Sequence, residues 1–432
     1  MHNNRRTAQM KAQITGALIV VALSLTPLIF SFTENLALQP HTPKYKFLFV
    51  IMTLITILNF DNFIQNIKRF WPILLALIAV VIHQASLTES GFNFIGPVGQ
   101  EAGLITYAFA VFSLLSFNGL SMRPAYLVAF ATGTFLATFI IFLQQLNYNI
   151  FDYIYGDLGS PGTIGNRGWL IPMVIASLVL GSKNFTLNTG RVLFAIGVFS
   201  LCVSLNKTVL FTSSLILLIY IFIDRKDIAK VKSWLSILVV FILTFVSYYN
   251  LTTRFNLEQQ NIVTTSEKTG LARADIYKVG WDVFLRSPLI GSGFGSFYGH
   301  WYDWGKREDI LHIACTTLEW NCEKDVIRKY GKIFVNENRL EIQSIDIWHP
   351  HNEILHLLIA GGLSYILLFC FLIYIYRVEI KMLLNNRILL FGFLLILAYC
   401  LTWTFQISTM IPPLIILILY IGKIEKKPVL DS

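Results

Sequence analysis

Apolar residues run through this chain in long, nearly uninterrupted blocks separated by short polar connections. The pattern has neither the strict alternation of barrel strands nor the single stripe of a surface helix. A helix needs about 20 mostly apolar residues to cross roughly 30 Å of hydrocarbon. Blocks of this kind predict helices near residues 14–32, 46–60, 70–84, 103–118, 124–146, 168–182, 191–206, 208–223, 233–250, 352–376, 388–406 and 409–422. Lipid offers no partner to open backbone N–H and C=O groups, so the expected architecture is an all-α membrane protein, a polytopic bundle of about 12 transmembrane helices. The polar stretches divide it into an N-terminal transmembrane region over 1–250, a large and mainly helical loop over 251–351, and a C-terminal transmembrane region with a short tail over 352–432.

Composition agrees. Hydrophobic residues make up 55% of the chain and charged residues only 14%, against roughly 25% charged in ordinary globular proteins. The net charge of +9 does not point to nucleic acid, because the basic residues form short clusters between apolar blocks and no continuous stripe. Those clusters orient the chain. With a cytoplasmic N-terminus, the inside segments hold Arg5, Arg6 and Lys11; Lys68 and Arg69; Arg123; Lys183 and Arg191; Arg225, Lys226, Lys230 and Lys232; Arg377, Lys381 and Arg387; and Lys423, Lys426 and Lys427. The short outside connections hold only Lys44, Lys46, Arg167 and Lys207. Both termini are therefore expected inside and the long loop outside. The basic start followed by an apolar run is like a signal peptide, but no small-residue cleavage pattern follows, so the first helix is expected to stay uncleaved.

Chemistry-bearing residues gather at the predicted outer face. The loop ends in Trp348-His349-Pro350-His351-Asn352-Glu353-Ile354-Leu355-His356, followed by an apolar helix containing Gly361-Gly362. An imidazole at a helix mouth can exchange protons near neutral pH, making His351 the candidate base; the alternative is a set of polar residues that merely cap an interfacial helix. The spacing of His349, His351 and His356 matches no standard zinc pattern, so no metal is expected. Earlier in the loop, Ile276, Val279, Val283 and Phe284 recur at helical spacing, predicting an amphipathic helix closed by Pro288 and the glycine turn Gly291-Ser292-Gly293-Phe294-Gly295. Arg273 near its start can present a planar fork to a phosphate, or be an ordinary surface arginine. Arg167 and Lys207 stand at outside helix ends, where a phosphate contact competes with simple snorkelling. Gln100 lies in the glycine-rich connection Gly96-Pro97-Val98-Gly99-Gln100-Glu101, whose plain reading is a turn. Cys315 and Cys322 sit in the loop, where either a disulfide or free thiols fit an oxidising compartment, whereas Cys202, Cys370 and Cys400 lie in apolar runs and read as small hydrophobes.

Taken in order, these pieces resemble the O-antigen ligase superfamily, including its O-oligosaccharyltransferase and polymerase relatives. The resemblance is sharpest over residues 270–365, where an arginine-led helix runs into Ser287-Pro288-Leu289-Ile290-Gly291-Ser292-Gly293-Phe294-Gly295 and the loop closes on His351-Asn352-Glu353. It implies a GT-C-like bundle in the bacterial inner membrane that moves a glycan from an undecaprenyl or other polyprenyl diphosphate carrier to lipid A–core or a protein acceptor on the periplasmic side, without a cofactor. It further implies His351 as base, Arg273 as a diphosphate contact with Lys207 and Arg167 assisting, and His349, Asn352, Glu353 and Gln100 as supporting residues. A family arginine falls on Lys207 here, which keeps the charge but loses bidentate geometry. The chain ends about ten residues after its last predicted helix, which favours lipid A–core as acceptor. A transporter or flippase of the same layout would instead be expected to carry acidic residues within its spans, and these are almost absent.

Overall fold

Every predicted apolar block overlaps a helix among the described residues. The computed structural model describes residues 2–29, 42–87, 94, 103–146, 148, 170–184, 187–204, 207–223, 225–254, 259–297, 304–306, 326–329, 332–335, 350, 352–401 and 407–425. The helices matching the blocks are α1 (His2–Leu25), α2 (Thr42–Leu58), α4 (Trp71–Ser86), α5 (Leu104–Phe117), α6 (Pro124–Gln145), α7 (Ile171–Lys183), α8 (Asn188–Ser204), α9 (Lys207–Ile223), α10 (Ile228–Arg254), α12 (Glu353–Ile375), α14 (Arg387–Cys400) and α15 (Ile407–Glu425). Proline opens α4, α6 and α7 within the first two positions, where its missing N–H has no helical partner to lose. Asn352 and Asn386 cap α12 and α14 through their side-chain oxygens.

Among the described residues, three helical stretches are long and apolar enough to cross a membrane alone: Arg6–Leu25, Pro124–Gln145 and Glu353–Ile375. Pro43–Leu58 passes the same criterion jointly with α3 (Phe60–Arg69), to which it is joined at a 95° bend. The remaining apolar helices are shorter, 10–17 residues in their apolar parts. At the centre of the bundle stands α7, whose residues Ile171 to Gly181 are all buried. It packs against α8, α14 and α15, while α6 bridges α1 and α8.

Four elements go beyond the apolar blocks. The polar α3 folds back onto α5, where Asn66 Nδ2 donates to the carbonyls of Leu115 (2.9 Å) and Asn118 (2.8 Å) and Asn66 Oδ1 accepts from Asn118 Nδ2 at 2.9 Å. These asparagines satisfy carbonyls left open at the end of α5. The loop helix is α11 (Gln259–Arg286), longer than its amphipathic pattern suggested, and α13 (Arg377–Leu384) is a short amphipathic link. The expectation of an all-α chain needs one amendment, an antiparallel hairpin of β1 (Val326–Lys329) and β2 (Lys332–Val335) within the loop. Its register pairs Lys329 with Lys332, leaving a two-residue connection, Tyr330-Gly331. Val326 and Ile327 in one strand and Ile333 and Val335 in the other are β-branched, a local reason for strand formation.

The predicted uninterrupted helix over 352–376 is broken. Gly362, the tenth of the 23 residues of α12, has φ +62° and ψ −157° and interrupts the helix there. In an unbroken helix the N–H groups of Leu363 and Ser364 would bond the carbonyls of Ile359 and Ala360. Here the segment after α11 takes both sides of that ladder. Ser292 and Gly293 N–H donate to Ile359 O (2.8 Å) and Ala360 O (3.1 Å), while Leu363 and Ser364 N–H donate to Pro288 O (2.8 Å) and Leu289 O (3.0 Å). A Cβ on Gly362 would lie 2.6 Å from the Leu289 backbone. Gly362→Ala combines left-handed strain with this clash and should destabilise the protein by at least about 2 kcal/mol, seen as a lower thermal unfolding midpoint in detergent; an unchanged midpoint would mean that the glycine turn does not seat against the break.

Candidate active site

The loop helix α11 sorts its residues cleanly. Ile276, Val279, Val283 and Phe284, the predicted apolar face, are all less than 10% exposed. The face built from Ala274, Tyr277, Lys278, Trp281 and Asp282, spaced at three and four residues, turns the other way and lines an open cleft of about 530 Å³. The opposite wall comes from Asn352, Ile354, Leu355 and Leu358 at the amino end of α12, with Leu401 after α14 and Lys306 from the loop completing the described lining. Gly280 lets the helices close, since a Cβ there would come within 2.7 Å of the Leu355 side chain and 3.5 Å of Pro350. Tyr277 Oη donates to Leu401 O at 3.0 Å, pinning α11 to the end of α14.

Charge is arranged unevenly around this cleft. Lys278 pairs with the buried Asp275 at 3.0 Å, and Lys306 approaches Asp282 with its Nζ at 3.9 Å and its backbone N–H at 3.3 Å. Arg273, one turn before Tyr277, is partly buried, and that burial draws its guanidinium below its ordinary range while the Tyr277 hydroxyl pulls the other way. Burial likewise raises the Tyr277 phenol, partly offset by Arg273. An arginine shifted in this direction remains charged at physiological pH.

Behind the cleft, side chains fix the glycine turn to the broken helix. The fully buried Gln84, near the end of α4, accepts from Phe294 N–H at 3.0 Å and donates to Ala360 O at 3.1 Å and Tyr365 Oη at 2.7 Å. His83 Nδ1 also meets Tyr365 Oη at 3.0 Å. His356 Nε2 lies 3.2 Å from Phe294 O, and because a carbonyl only accepts, this nitrogen carries the proton. Its Nδ1 faces Glu353 Oε1 at 3.8 Å, both side chains being 3% exposed. Phe294 is thus held at both its N–H and its C=O, and its ring packs on Tyr107 and edge-on to His356.

Of the residues singled out from the sequence, Asn352, Glu353 and Arg273 fall on the two elements that meet at the cleft. Asn352 caps α12 by accepting from Leu355 N–H at 3.0 Å, and Glu353 is buried in its first turn. His351, His349, Arg167, Gln100, Cys315 and Cys322 lie outside the described residues, although Pro350 and Asn352 on either side of His351 both border the α11–α12 contact. Lys207 opens α9, which packs on α10 and α14; only its backbone is within the described part. Cys202, Cys370 and Cys400 are free thiols. Among the described residues, no three His, Cys, Asp or Glu side chains converge. Gln84, His83 and Tyr365 escaped the sequence reading. Their one signal was a His-Gln pair closing an otherwise apolar block, the type of placement that marks a polar contact inside a bundle.

A family model described as O-antigen ligase matches residues 192–319. Over that stretch, less than a third of the chain, the sequence is similar to that family. The matched stretch runs from α8 through α11 and the glycine turn, so it includes Lys207, Arg273 and the segment that seats against the α12 break. No curated protein matches the chain significantly. The O-antigen ligase family consists of glycosyltransferase-like ligases and polymerases acting on lipid-linked glycans and their acceptors, which supports an enzyme role in a membrane setting.

His356→Leu removes the donor to Phe294 O and leaves a buried carbonyl without that bond, at a cost of about 1–3 kcal/mol, whereas His356→Gln can restore an N–H in reach. Thermal unfolding should rank wild type first, His356→Gln next and His356→Leu last, and equal midpoints for the two variants would argue against a structural role for the Nε2–H bond.

Proposed function

We propose that this chain is an O-antigen ligase-like glycosyltransferase that transfers a glycan en bloc from an undecaprenyl (polyprenyl) diphosphate carrier to lipid A–core at the periplasmic face of the bacterial inner membrane. In this reading about 12 helices span the bilayer, both termini are cytoplasmic, and the 251–351 loop covers the outer face. The observation that carries it is the meeting of two elements: Arg273 rides on α11, whose exposed face shares a cleft with Asn352, the neighbour of His351. The family match over 192–319 covers the first of these elements.

The chemistry follows from the donor. Its anomeric carbon carries a diphosphate leaving group, and negative charge grows there as the glycosidic bond breaks. Arg273, assisted by Lys207 and Arg167, stabilises that charge, and a partly buried cation does so more strongly than one in open water. His351 takes the proton of the acceptor hydroxyl as its oxygen attacks, so one displacement inverts the anomeric centre. No second carboxylate is required, since the leaving group is already activated, in contrast to glycosidases. Asn352 and Glu353 support the base by fixing the start of α12, with His349 and Gln100 as further supporting groups and no metal or cofactor in the scheme.

The test is reconstitution of the purified protein with a diphosphate-linked glycan, offering lipid A–core and pilin in separate reactions without any ion gradient. Product on lipid A–core supports ligation, product on pilin supports protein O-glycosylation, self-extension of the donor supports a polymerase, and glycan movement with no transfer supports a flippase. His351→Ala should lower the rate by on the order of 10²–10⁴ while the protein still inserts and melts normally, and Arg273→Lys should recover part of what Arg273→Ala loses. Wild-type rates in His351→Ala would remove the assigned base.

A further inference from the structure

We propose that the cleft between α11 and α12 is a saccharide-binding subsite with Trp281 as its platform, an inference that rests on the transfer reading for its biological role. Its volume of about 530 Å³ falls within the range of roughly 300–1,000 Å³ usual for small-molecule sites. Three features select a sugar over the other occupants that a membrane enzyme meets.

The first is charge balance. The two lysines on the lining each have a carboxylate within 4 Å, Asp275 for Lys278 and Asp282 for Lys306. A diphosphate entering here would face Asp282 together with two lysines already paired, Lys278 to the buried Asp275 and Lys306 to Asp282, so the cleft offers little net attraction to an anion. A neutral pyranose uses the same lining fully, because its hydroxyls donate to carboxylate and accept from ammonium. The second feature is Trp281, which is 49% exposed and borders the cleft. The negative face of an indole attracts the weakly positive C–H bonds along one face of a sugar ring, and its large apolar area excludes water from the contact. The third is rigidity. Trp281 packs against Phe284 at 4.9 Å on a helix whose other face is buried, and Tyr277 ties that helix to Leu401, so the platform is held before any ligand arrives. An acyl or polyprenyl chain would gain from the Leu355 and Leu358 wall but would strip water from Lys278, Lys306 and Asp282 without replacing its hydrogen bonds.

The saccharide can belong to the donor glycan or to the acceptor core, and the experiment separates these. Full-length protein in nanodiscs is titrated calorimetrically with three probes: delipidated core oligosaccharide, delipidated O-antigen oligosaccharide, and sugar-free polyprenyl diphosphate. Trp281→Ala should weaken binding of one or both oligosaccharides by roughly tenfold, leave the sugar-free lipid unchanged, and be partly rescued by Trp281→Phe. Asp282→Asn, which keeps the shape of the cleft, should weaken the same oligosaccharide. Loss of core binding assigns the cleft to the acceptor, and loss of O-antigen binding assigns it to the donor. Wild-type oligosaccharide affinity in both Trp281→Ala and Asp282→Asn, or a loss confined to the sugar-free lipid, overturns the proposal. Since these are binding measurements, they succeed or fail independently of transfer: a chain that binds sugar as described but transfers none overturns the catalytic reading alone.

Discussion

The exchange of backbone hydrogen bonds between the glycine turn and the break in α12 governs the geometry of everything near the cleft. Breaking a helix orphans carbonyls on one side and N–H groups on the other, and an apolar surrounding offers no water to receive them. In this chain one short segment answers for both sides. Ser292 and Gly293 cap the first half of α12 at Ile359 and Ala360, and Pro288 and Leu289 accept from the second half at Leu363 and Ser364. Because the bonds are main-chain to main-chain, they fix position in the way that a strand ladder does. They also couple the interior of the long loop to the helix that follows it, since the turn follows α11 directly and the first half of α12 begins at the residue after Asn352. The angle and height at which Arg273 and the amino end of α12 are presented are thus consequences of one seating contact. Gln84 and His356, gripping Phe294 from either side, hold that contact from slipping.

Much of this was legible in the chain, for physical reasons that also mark where legibility stopped. Hydrophobic blocks read as helices because a long apolar run in lipid has no other way to satisfy its backbone. The buried face of α11 could be named in advance, as Ile276, Val279, Val283 and Phe284, because a helix lying against a bundle must keep its apolar residues at 3.6-residue spacing. The glycine turn could be placed but its partner could not: nothing local in Pro288–Gly293 says that its hydrogen bonds go to residues some seventy positions later. For the same reason Gly361-Gly362 read as glycines within a helix, although Gly362 in fact ends one helical segment and begins another. The helix α3 lacked an apolar block to announce it, since its stability comes from Asn62, Asn66 and Asn118 bonding across to α5. Gln84 is the sharpest case, a residue whose only local oddity was being polar at the end of an apolar run, yet which contacts three separate segments of the chain.

Arg273 and the cleft beside it show how one helix can serve two kinds of partner. Partial burial does not discharge an arginine, so its effect is to place a permanent cation where the field it exerts is less screened. One turn further along, Lys278 on the same helix and Lys306 from the loop are offset by Asp275 and Asp282, and the field falls away. In the proposed reaction these two zones suit the two halves of the chemistry: a leaving group that gains negative charge belongs beside the half-buried guanidinium, and a neutral sugar belongs where the lysines are paired with carboxylates and an indole is exposed. Reversing the arrangement would be self-defeating. A diphosphate drawn into the cleft would displace the sugar that must react, and a sugar lodged against a half-buried guanidinium would deprive the departing phosphate of its stabilisation. Placing both zones on α11 fixes their separation by helical rise alone, and the buried Ile276–Phe284 face keeps that ruler from rolling.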